Sequence, residues 1–398
     1  MSEHILTINA GSSSLKFALF GASALDCIAI GLLDGLGTDP NFVMKDGAGR
    51  KLAEDMLEGD RFVGDHPGAL RTVLDAVAKQ FPGVSIAAVG HRVVHGGPAY
   101  SAPVVVDDEI MRQLREFVTL APLHQPHNLS GIEAARAAFP GVPQVACFDT
   151  GFHNGHPFVH DAFALPRSFY DEGVRRYGFH GLSYEYIAAK LAEMATFRGG
   201  GRVVVCHLGS GASMCALEDG KSITSTMGFS ALDGLPMGTR PGRLDAGVML
   251  YLMDEKGMDA KAISDMLYKQ SGLKGLSGIS NDMRDLESSS DPRAKEAIDY
   301  FVAHIRREIG AMAAVLGGLD AIVFCAGIGE NSRSVRAAVL EGMQWLGIEL
   351  DHARNEKNAE LISSDRSSVR VFVIPTNEEL MIARHTARLT QGKQASAA

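Results

Sequence analysis

The sequence predicts an α/β protein of two domains, because both halves of the chain begin with a similar strand-turn-strand element. In the first half, two apolar stretches within residues 5–20 flank the polar turn 9–14. In the second half, a glycine-rich stretch at 198–202 precedes the apolar run 203–208, a Gly/Ser turn and the returning run 214–217. A chain of 398 residues is long enough for two domains of ordinary size. We therefore expect a duplicated α/β architecture.

Composition and charge favour a soluble globular protein. Hydrophobic residues make up 46% of the chain and charged residues 21%, with a net charge of -9. No apolar run approaches the roughly 18 residues of a membrane span, and the first residues show no export leader. We expect a cytoplasmic protein without nucleic-acid or membrane partners, because a net negative chain is repelled by both.

Hydrophobic periodicity predicts the remaining elements. In the first half we expect strands at 27–33, within 42–52, at 86–89 and at 142–148, and helices at 68–81, 108–120 and 129–139. Asn128 is the predicted N-cap of the last of these helices. In the second half we expect helices at 245–255, 259–270, 292–316 and 377–388, and strands at 320–324 and 369–374. A glycine turn at 325–331 and a disordered tail at 391–398 complete the prediction.

The first polar turn has the composition of a phosphate-binding hairpin. Gly11 lets the backbone approach an anion, and the hydroxyls that follow it can donate to phosphoryl oxygens. Lys16 adds a positive charge, and Asn9 offers a carbonyl oxygen to hydrated Mg2+. An ordinary Gly/Ser hairpin is the alternative for such a turn in isolation. A Walker A loop is excluded, because its GxxxxGK[ST] pattern is absent and a strand follows the turn.

The ordered motifs of the chain resemble those of the acetate kinase family, within the acetate and sugar kinase/Hsp70/actin superfamily. The matching segments are NAGSSSLKF, HRVVHGG, APLH, FDTGFH, RRYGFHG, HLGSGAS, MGTRPG, AGIGENS and PTNEELMIARHT. The resemblance implies two duplicated actin/RNase H-like α/β domains, with mixed sheets, helices on their faces and an active site in the interdomain cleft. The implied N-terminal domain is 1–150, joined by the C-terminal helix at about 381–398. The implied nucleotide-binding domain is 151–380.

The implied reaction is reversible, direct in-line transfer of a phosphoryl group from ATP to acetate, giving acetyl phosphate and ADP. The resemblance also implies Mg2+, with Mn2+ as a substitute, and a homodimer. Such a transfer needs aligned reactants and countercharge on the moving oxygens. Arg92, Arg240 and His180 can supply that countercharge. By resemblance, His124 and His180 donate hydrogen bonds to the phosphoryl group and Asp149 orients Mg2+ or an arginine.

The resemblance also implies residues for each ligand. The acyl pocket and carboxylate contacts would be Arg92, Val94, Leu123, Phe179 and Ala231. The nucleotide contacts would be Ser12, Ser14, Lys16, His207, Leu208, Gly209, Ser210, Gly211, Asp282, Met283, Arg284, Gly327, Ile328, Gly329, Glu330 and Asn331. The metal-linked residues would be Asn9 and Glu378, and the sequence does not separate Glu378 from its neighbour Glu379.

Three residues depart from the family pattern. Ser210 is shorter than the usual Asn, and Arg243 replaces a usual acid, with Asp245 as its expected partner. Ala231 stands where a proline is common. A smaller residue in the acyl pocket can admit an extra methylene, whose burial contributes about 0.8 kcal/mol. We still expect acetate to be preferred over propionate, because the rest of the pocket wall is unchanged.

Four alternatives stay open to test. Propionate or butyrate kinases use the same chemistry, and a hydrolase would transfer the phosphoryl group to water. An actin- or Hsp70-like ATP-binding protein would need no arginine-histidine cage for a carboxylate. The HxxH spacings at His124/His127 and His153/His156 suggest a zinc enzyme, but Pro126 and the residue after His156, also a proline, break the helices that would present both imidazoles.

Overall fold

The computed structural model describes residues 3–11, 13–56, 63–195, 197 and 201–394. The chain forms two compact units, and we call Met1–Phe152 with Asn377–Ala398 unit 1, and His153–Thr376 unit 2. The predicted domain limits, 1–150 with about 381–398 and 151–380, stay a prediction. In the described ranges, no helix has the length and apolarity needed to cross a membrane.

Unit 1 is built on an eight-stranded mixed sheet. Its strands are β1 (Glu3–Ala10), β2 (Ser14–Gly21), β3 (Cys27–Asp34), β4 (Asn41–Asp46), β5 (Lys51–Met56), β6 (Ser85–Val93), β7 (Val104–Val105) and β8 (Gln144–Phe148). Their order is β5-β4-β3-β2-β1-β6-β8-β7. Strand β1 pairs antiparallel with β2 and parallel with β6, and β6 pairs parallel with β8. The carboxyl ends of β1, β6 and β8 therefore meet at one edge of the sheet.

Three helices follow in unit 1: α1 (His66–Gln80), α2 (Asp108–Glu116) and α3 (Gln125–Ala138). Asp65 caps α1 by accepting a hydrogen bond from the Gly68 amide, and Asp107 caps α2 in the same way. Leu70 and Val73 of α1 belong to the same buried core as Phe17 of β2. The apolar face of α1 thus covers the hairpin strands, as its periodicity predicts.

Unit 2 repeats the strand pattern of unit 1 in a five-stranded sheet. Its strands are β9 (Arg202–Leu208), β10 (Ala212–Glu218), β11 (Lys221–Ser225), β12 (Ala321–Cys325) and β13 (Arg370–Val373), in the order β11-β10-β9-β12-β13. The β9-β10 and β10-β11 pairs are antiparallel, and the β9-β12 and β12-β13 pairs are parallel. The same sequence of pairings occurs in β3-β2-β1-β6-β8, which confirms the predicted duplication.

Helices surround this second sheet. They are α4 (Phe158–Asp161), α5 (Arg167–Asp171), α6 (Gly181–Glu193), α7 (Ala246–Asp254), α8 (Ala260–Lys269), α9 (Gly272–Ser277), α10 (Met283–Ser288), α11 (Pro292–Val315), α12 (Ala326–Asn331), α13 (Arg333–Leu340) and α14 (His352–Glu356). Helix α11 contributes Phe301, Ile305 and Ile309, all of which are fully buried.

The last helix, α15 (Glu378–Gln394), returns to unit 1. A Cβ atom on Gly90 of β6 would lie only 2.3 Å from Thr386 Oγ1 and 2.5 Å from Ile382 Cγ2. Glycine at position 90 therefore lets α15 lie directly against the sheet. Ala383 of this helix packs in one cluster with Ile5 of the first strand.

Four local predictions differ from the structure. Helix α3 starts at Gln125 with His124 as its N-cap, not at Asn128, because a proline occupies its first turn, where proline is favoured. The predicted glycine turn 325–331 is largely the short helix α12. Arg92 lies within β6 rather than after it. Helix α15 extends to Gln394, so the predicted disorder at 391–394 is wrong, and 395–398 lie outside the described residues.

Candidate active site

A cluster of polar side chains occupies the carboxyl edge of the unit 1 sheet. Arg92 Nε lies 3.2 Å from Asp149 Oδ1, and Nη2 lies 2.5 Å from Oδ2, so the guanidinium donates to both carboxylate oxygens. Arg92 Nη1 donates to Asn9 Oδ1 at 3.2 Å. Asn9 is at the end of β1, Arg92 near the end of β6, and Asp149 directly after β8. Parallel pairing of these strands brings the three predicted site residues together.

Burial makes this cluster electrostatically strong. The Asp149 side chain is 1% exposed and that of Arg92 19%. Although burial opposes the charge of Arg92, the carboxylates of Asp149 and Glu378 raise its pKa. Glu378 Oε2 lies 3.9 Å from Arg92 Nε. Burial raises the pKa of Glu378 to about 7, and the attraction of Arg92 only partly offsets burial and the nearby carboxylates.

This cluster fits a hydrated Mg2+. Asn9, Asp149 and Glu378 supply amide and carboxylate oxygens, which are the donors that Mg2+ prefers. Within the described residues, no group of three or more histidine, cysteine, aspartate or glutamate side chains is arranged to hold a metal ion. Mg2+ usually keeps several of its waters and binds to a protein through one or two carboxylates.

The backbone of the first hairpin is fixed by a buried asparagine that sequence reasoning misassigned. Asn128 Nδ2 donates to the Ala10 carbonyl at 2.7 Å, and its Oδ1 accepts from the Val94 amide at 2.9 Å. The asparagine therefore links the predicted phosphate turn to the predicted acyl pocket. Its place inside α3, with the side chain turned away from the helix end, explains why it does not cap that helix.

The tip of the hairpin closes tightly. The Gly11 amide donates to the Ser14 carbonyl at 2.8 Å, and His66 Nε2 donates to the Gly11 carbonyl at 2.8 Å. Ser12, a predicted nucleotide contact, lies outside the described residues. Ser14 begins β2, and the Lys16 side chain on the same strand is exposed.

In unit 2, the side chains of His180 and Arg240 both lie close to Gly211. A Cβ atom on Gly211 would be 2.7 Å from Arg240 Nη2 and 3.3 Å from His180 Nε2. Arg240 Nη1 also donates to the Ala231 carbonyl at 2.8 Å. A guanidinium and an imidazole nitrogen thus lie beside the glycine of the turn after β9, and the N–H groups of both side chains can donate to a bound anion.

Stacking and hydrogen bonds with neighbouring residues fix the position of the His180 ring. Its backbone has φ 59°, in the left-handed region, at the N-cap of α6. Its ring stacks on that of His207 at a centroid distance of 4.2 Å. His180 Nδ1 lies 2.8 Å from Ser213 Oγ, and His207 Nδ1 lies 2.8 Å from Ser183 Oγ. His153 Nε2 donates at 2.9 Å to the carbonyl of Phe179, the residue before His180.

A pocket of about 630 Å³ opens beside the turn after β9. Most of its lining residues are predicted nucleotide contacts: Gly209, Ser210, Asp282, Met283, Arg284, Gly327, Ile328 and Asn331. Sequence reasoning missed three further lining residues, Asn281, Glu287 and Ser332. Glu287 Oε1 accepts a hydrogen bond from Ser332 Oγ at 2.6 Å, and this contact joins residues too far apart in sequence for a local motif to reveal.

Other predicted residues lie away from this pocket's lining. His207 and Leu208 end β9, and Gly329 is buried in α12. The Glu330 carboxylate accepts from the Thr376 amide at 3.1 Å, and burial raises its pKa.

In unit 1, Val94 is buried and Leu123 half-buried, next to His124 at the start of α3. The expected pairing of Arg243 with Asp245 is wrong. Arg243 Nη2 lies 3.5 Å from Glu308 Oε1, whereas Asp245 accepts from the Gly247 amide as the cap of α7.

The arginine-carboxylate cluster of unit 1, and the arginine, histidine and glycine-lined pocket of unit 2, are each typical of enzymes of the kinase class. The sequence model of the acetokinase family matches residues 4–384. An acetate kinase from Methylocella silvestris is 59% identical over 98% of both chains. The acetate kinase structure from Porphyromonas gingivalis is 36% identical over 98% of this chain and 100% of its own, with a TM-score of 0.87. The chain belongs to the acetokinase family.

A propionate kinase structure from Francisella tularensis is similarly related. It is 37% identical over 98% of this chain and 100% of its own, with a TM-score of 0.90. These relatives share the fold across both units, so the predicted fold class is confirmed.

Proposed function

We propose that this protein catalyses reversible phosphoryl transfer between ATP and acetate. The observation that carries the proposal is the Arg92 guanidinium, which Asp149 and Asn9 hold at the carboxyl edge of the unit 1 sheet. The buried carboxylate holds one side of the guanidinium. The remaining N–H donors of the guanidinium can bind an anionic acceptor. The match of the whole chain to acetate kinases supports acetate as that acceptor.

The reaction requires no proton transfer from the acceptor. An acetate carboxylate oxygen attacks the γ-phosphorus of ATP, a new P–O bond forms, and the bond from phosphorus to the β,γ-bridging oxygen breaks to release ADP. In the proposal, Arg92 orients the carboxylate, Arg240 neutralises charge on the equatorial oxygens, and His180 donates a hydrogen bond to them. His124 has a donor role by resemblance. The adenosine part of ATP would occupy the pocket lined by Asp282 and Gly327.

Magnesium belongs to the proposal as a cofactor. When bound, Mg2+ would supply positive charge that stabilises the phosphates of ATP during transfer. Asn9 and Glu378 would hold it through their oxygens, and Mn2+ could replace it, since both prefer such donors. Asp149 would keep Arg92 oriented.

Acetate is the proposed main acceptor and propionate the alternative. Two observations favour the alternative: Ala231 replaces a larger residue, and a structural relative is described as a propionate kinase. The Ala231 carbonyl accepts from Arg240, so a change at position 231 acts beside the proposed catalytic arginine. One extra buried methylene changes discrimination by only about 1 to 3 kcal/mol, so both acids can be substrates.

Trapping the product with hydroxylamine tests the function. ATP, Mg2+ and acetate, propionate or butyrate are supplied in parallel, and acyl hydroxamate is measured. The highest kcat/KM with acetate is the expected result, and Ala231→Pro should lower the propionate-to-acetate ratio. Phosphate release without hydroxamate would instead indicate a hydrolase, and ATP binding without turnover would indicate a binding protein.

A matched variant tests the catalytic assignment. Arg240→Ala should abolish turnover while ATP binding, measured by titration calorimetry, stays within a few-fold. Survival of activity would contradict the role of Arg240. Arg284→Ala is the comparison, because this arginine lines the pocket and should affect KM for ATP more than kcat.

A cytoplasmic homodimer completes the proposal, and α7 supports the dimer. None of the α7 residues is buried in the single chain, although the helix is largely apolar. Leu250 is 61% exposed and Tyr251 49%. Exposed apolar surface of this kind is typical of an interface, and a second copy would cover it. Leu250→Lys should shift the mass measured by light scattering from dimer to monomer; a wild-type monomer would contradict this.

A further inference from the structure

Two buried hydroxyl groups lie behind His180. Tyr184 Oη is 2.5 Å from Ser213 Oγ, and Ser213 Oγ is 2.8 Å from His180 Nδ1. Tyr184 and Ser213 are both fully buried. Tyr184 lies one turn after His180 in α6, where its amide donates to the His180 carbonyl, and Ser213 comes from β10. The three side chains thus form a continuous line from the core to the imidazole.

The direction of the first hydrogen bond follows from burial. A buried phenol proton needs an acceptor, and Ser213 Oγ is the partner recorded for Tyr184 Oη in the described part of the chain. Burial also raises the pKa of Tyr184 well above its ordinary value, so the phenol keeps its proton. Tyr184 therefore donates to Ser213.

The second hydrogen bond then has one direction. Ser213 already accepts from Tyr184, and a hydroxyl group has a single proton to donate. Donating that proton to His180 Nδ1 satisfies both groups, whereas a proton on Nδ1 would leave the Ser213 proton unpaired. A lone pair on Nδ1 places the imidazole proton on Nε2. Nε2 is the nitrogen that lies beside Gly211 and Arg240.

We propose that Tyr184 and Ser213 are positioning residues that hold neutral His180 in the Nε2–H tautomer, ready to donate to the transferring phosphoryl group. This inference rests on the proposed function, because it names how His180 performs its role there. The opposite tautomer would present a lone pair to an anion, which is repulsive. A flipped ring would keep the stack on His207 but place Cδ2 instead of Nδ1 beside Ser213 Oγ, so the hydrogen bond to Ser213 also fixes the orientation of the ring.

Nitrogen NMR tests the tautomer without substrate. The protein is labelled at the ring nitrogens of its 14 histidines, and His180 is assigned from the signals lost in His180→Asn. Wild-type protein, at a pH where the ring is neutral, should show a protonated Nε2 and an unprotonated Nδ1 that accepts a hydrogen bond. A protonated Nδ1 in the wild-type protein would overturn the inference.

Two variants test the cause. Ser213→Ala should convert His180 to a mixture of tautomers and lower kcat about tenfold or more, with KM for ATP changed less. Tyr184→Phe should move the tautomer ratio in the same direction, by a smaller amount, because Ser213 can still donate. An unchanged tautomer in both variants would contradict the proposal. If Ser213→Ala does not fold, an unchanged tautomer ratio in Tyr184→Phe alone would contradict it.

A control variant separates this effect from the loss of a half-buried phenol hydroxyl in another part of unit 2. Tyr170→Phe removes a phenol that binds Asp161 elsewhere in unit 2, and it should leave the His180 signals unchanged. The two proposals fail independently. If the wild-type protein has the expected tautomer but forms no acyl phosphate, only the proposed function is contradicted. If it forms acyl phosphate but His180 has the other tautomer, only the proposed role of Tyr184 and Ser213 is contradicted.

Discussion

Gly211 and Arg240 are so close that a Cβ atom on the glycine would lie 2.7 Å from Arg240 Nη2. Such a distance is below any ordinary carbon-nitrogen contact, so an alanine must displace the guanidinium. We expect Gly211→Ala to lower kcat for acyl phosphate formation about 100-fold, since catalysis depends on the aligned charge. The hydroxamate assay measures it.

The control for this prediction is Gly310→Ala in α11, where a new Cβ atom meets nothing within 4 Å. It should keep full activity and stabilise the protein by about 0.5 to 1 kcal/mol, because alanine is the better helix former. Equal activity in both variants would show that the close contact at Gly211 has no catalytic consequence.

The buried pair of Arg92 and Asp149 should matter for both stability and activity. Asp149→Ala leaves the guanidinium without its carboxylate, and we expect the free energy of unfolding to fall by about 3 kcal/mol or more. Urea unfolding measures this change. Asp265→Ala, which breaks the exposed pair with Lys269, is the control and should leave the free energy of unfolding nearly unchanged.

Substitution of Asn128 should affect the protein whether it removes the side-chain Oδ1 or the Nδ2, because both atoms make buried hydrogen bonds. Asn128→Ala leaves the Val94 amide and the Ala10 carbonyl unpaired, which we expect to lower the free energy of unfolding by about 2 kcal/mol or more. Asn128→Asp keeps the acceptor for Val94 but loses the donor to Ala10. We expect the aspartate variant to lose activity while its spectra stay native-like, because the hairpin turn moves. Full activity in both variants would contradict a link between Asn128 and catalysis.

Buried histidines predict a loss of stability in acid. Burial lowers the pKa of His91 to about 4, and the ring bonds to Gln144 Oε1 at 2.8 Å. In the unfolded chain the imidazole titrates near about 6.5, so the folded state binds fewer protons between pH 4 and 6.5. The free energy of unfolding should therefore fall as the pH decreases through this window.

Replacing that histidine should flatten the dependence. His91→Gln cannot take up the proton, and its unfolding free energy should change less between pH 6.5 and 4 than that of the wild type. His352→Gln, at an exposed site in α14, should keep the wild-type slope. A wild-type slope in His91→Gln would show that other groups control the acid response.

The sequence predicted the fold because its main signals are local. Apolar alternation and turn residues identified the hairpins of both units, and their repetition indicated the duplication. The start of α3 was missed because the Asn128 side chain binds Ala10 and Val94, partners remote in sequence. Helix α6 was also missed, and with it the line from Tyr184 to His180.

The roles of individual residues are harder to predict from the sequence than the fold is. Motifs at strand ends predicted Asn9, Arg92 and Asp149, and parallel pairing explains why they meet. The contact of Arg243 with Glu308 depends on how α11 packs, which periodicity alone cannot give. Ser213 lay inside a recognised motif, but only its distance to His180 indicates a purpose.

Helix α15 has a consequence for synthesis of the chain. Its residues Ile382 and Thr386 lie against Gly90, and Ala383 packs with Ile5, so the first unit shares its core with the last helix. A ribosome must therefore translate α15 before that core can close, while unit 2 can form earlier. Messages broken before the codons of α15 would yield products with an open core in unit 1, and cellular proteases should degrade these products readily.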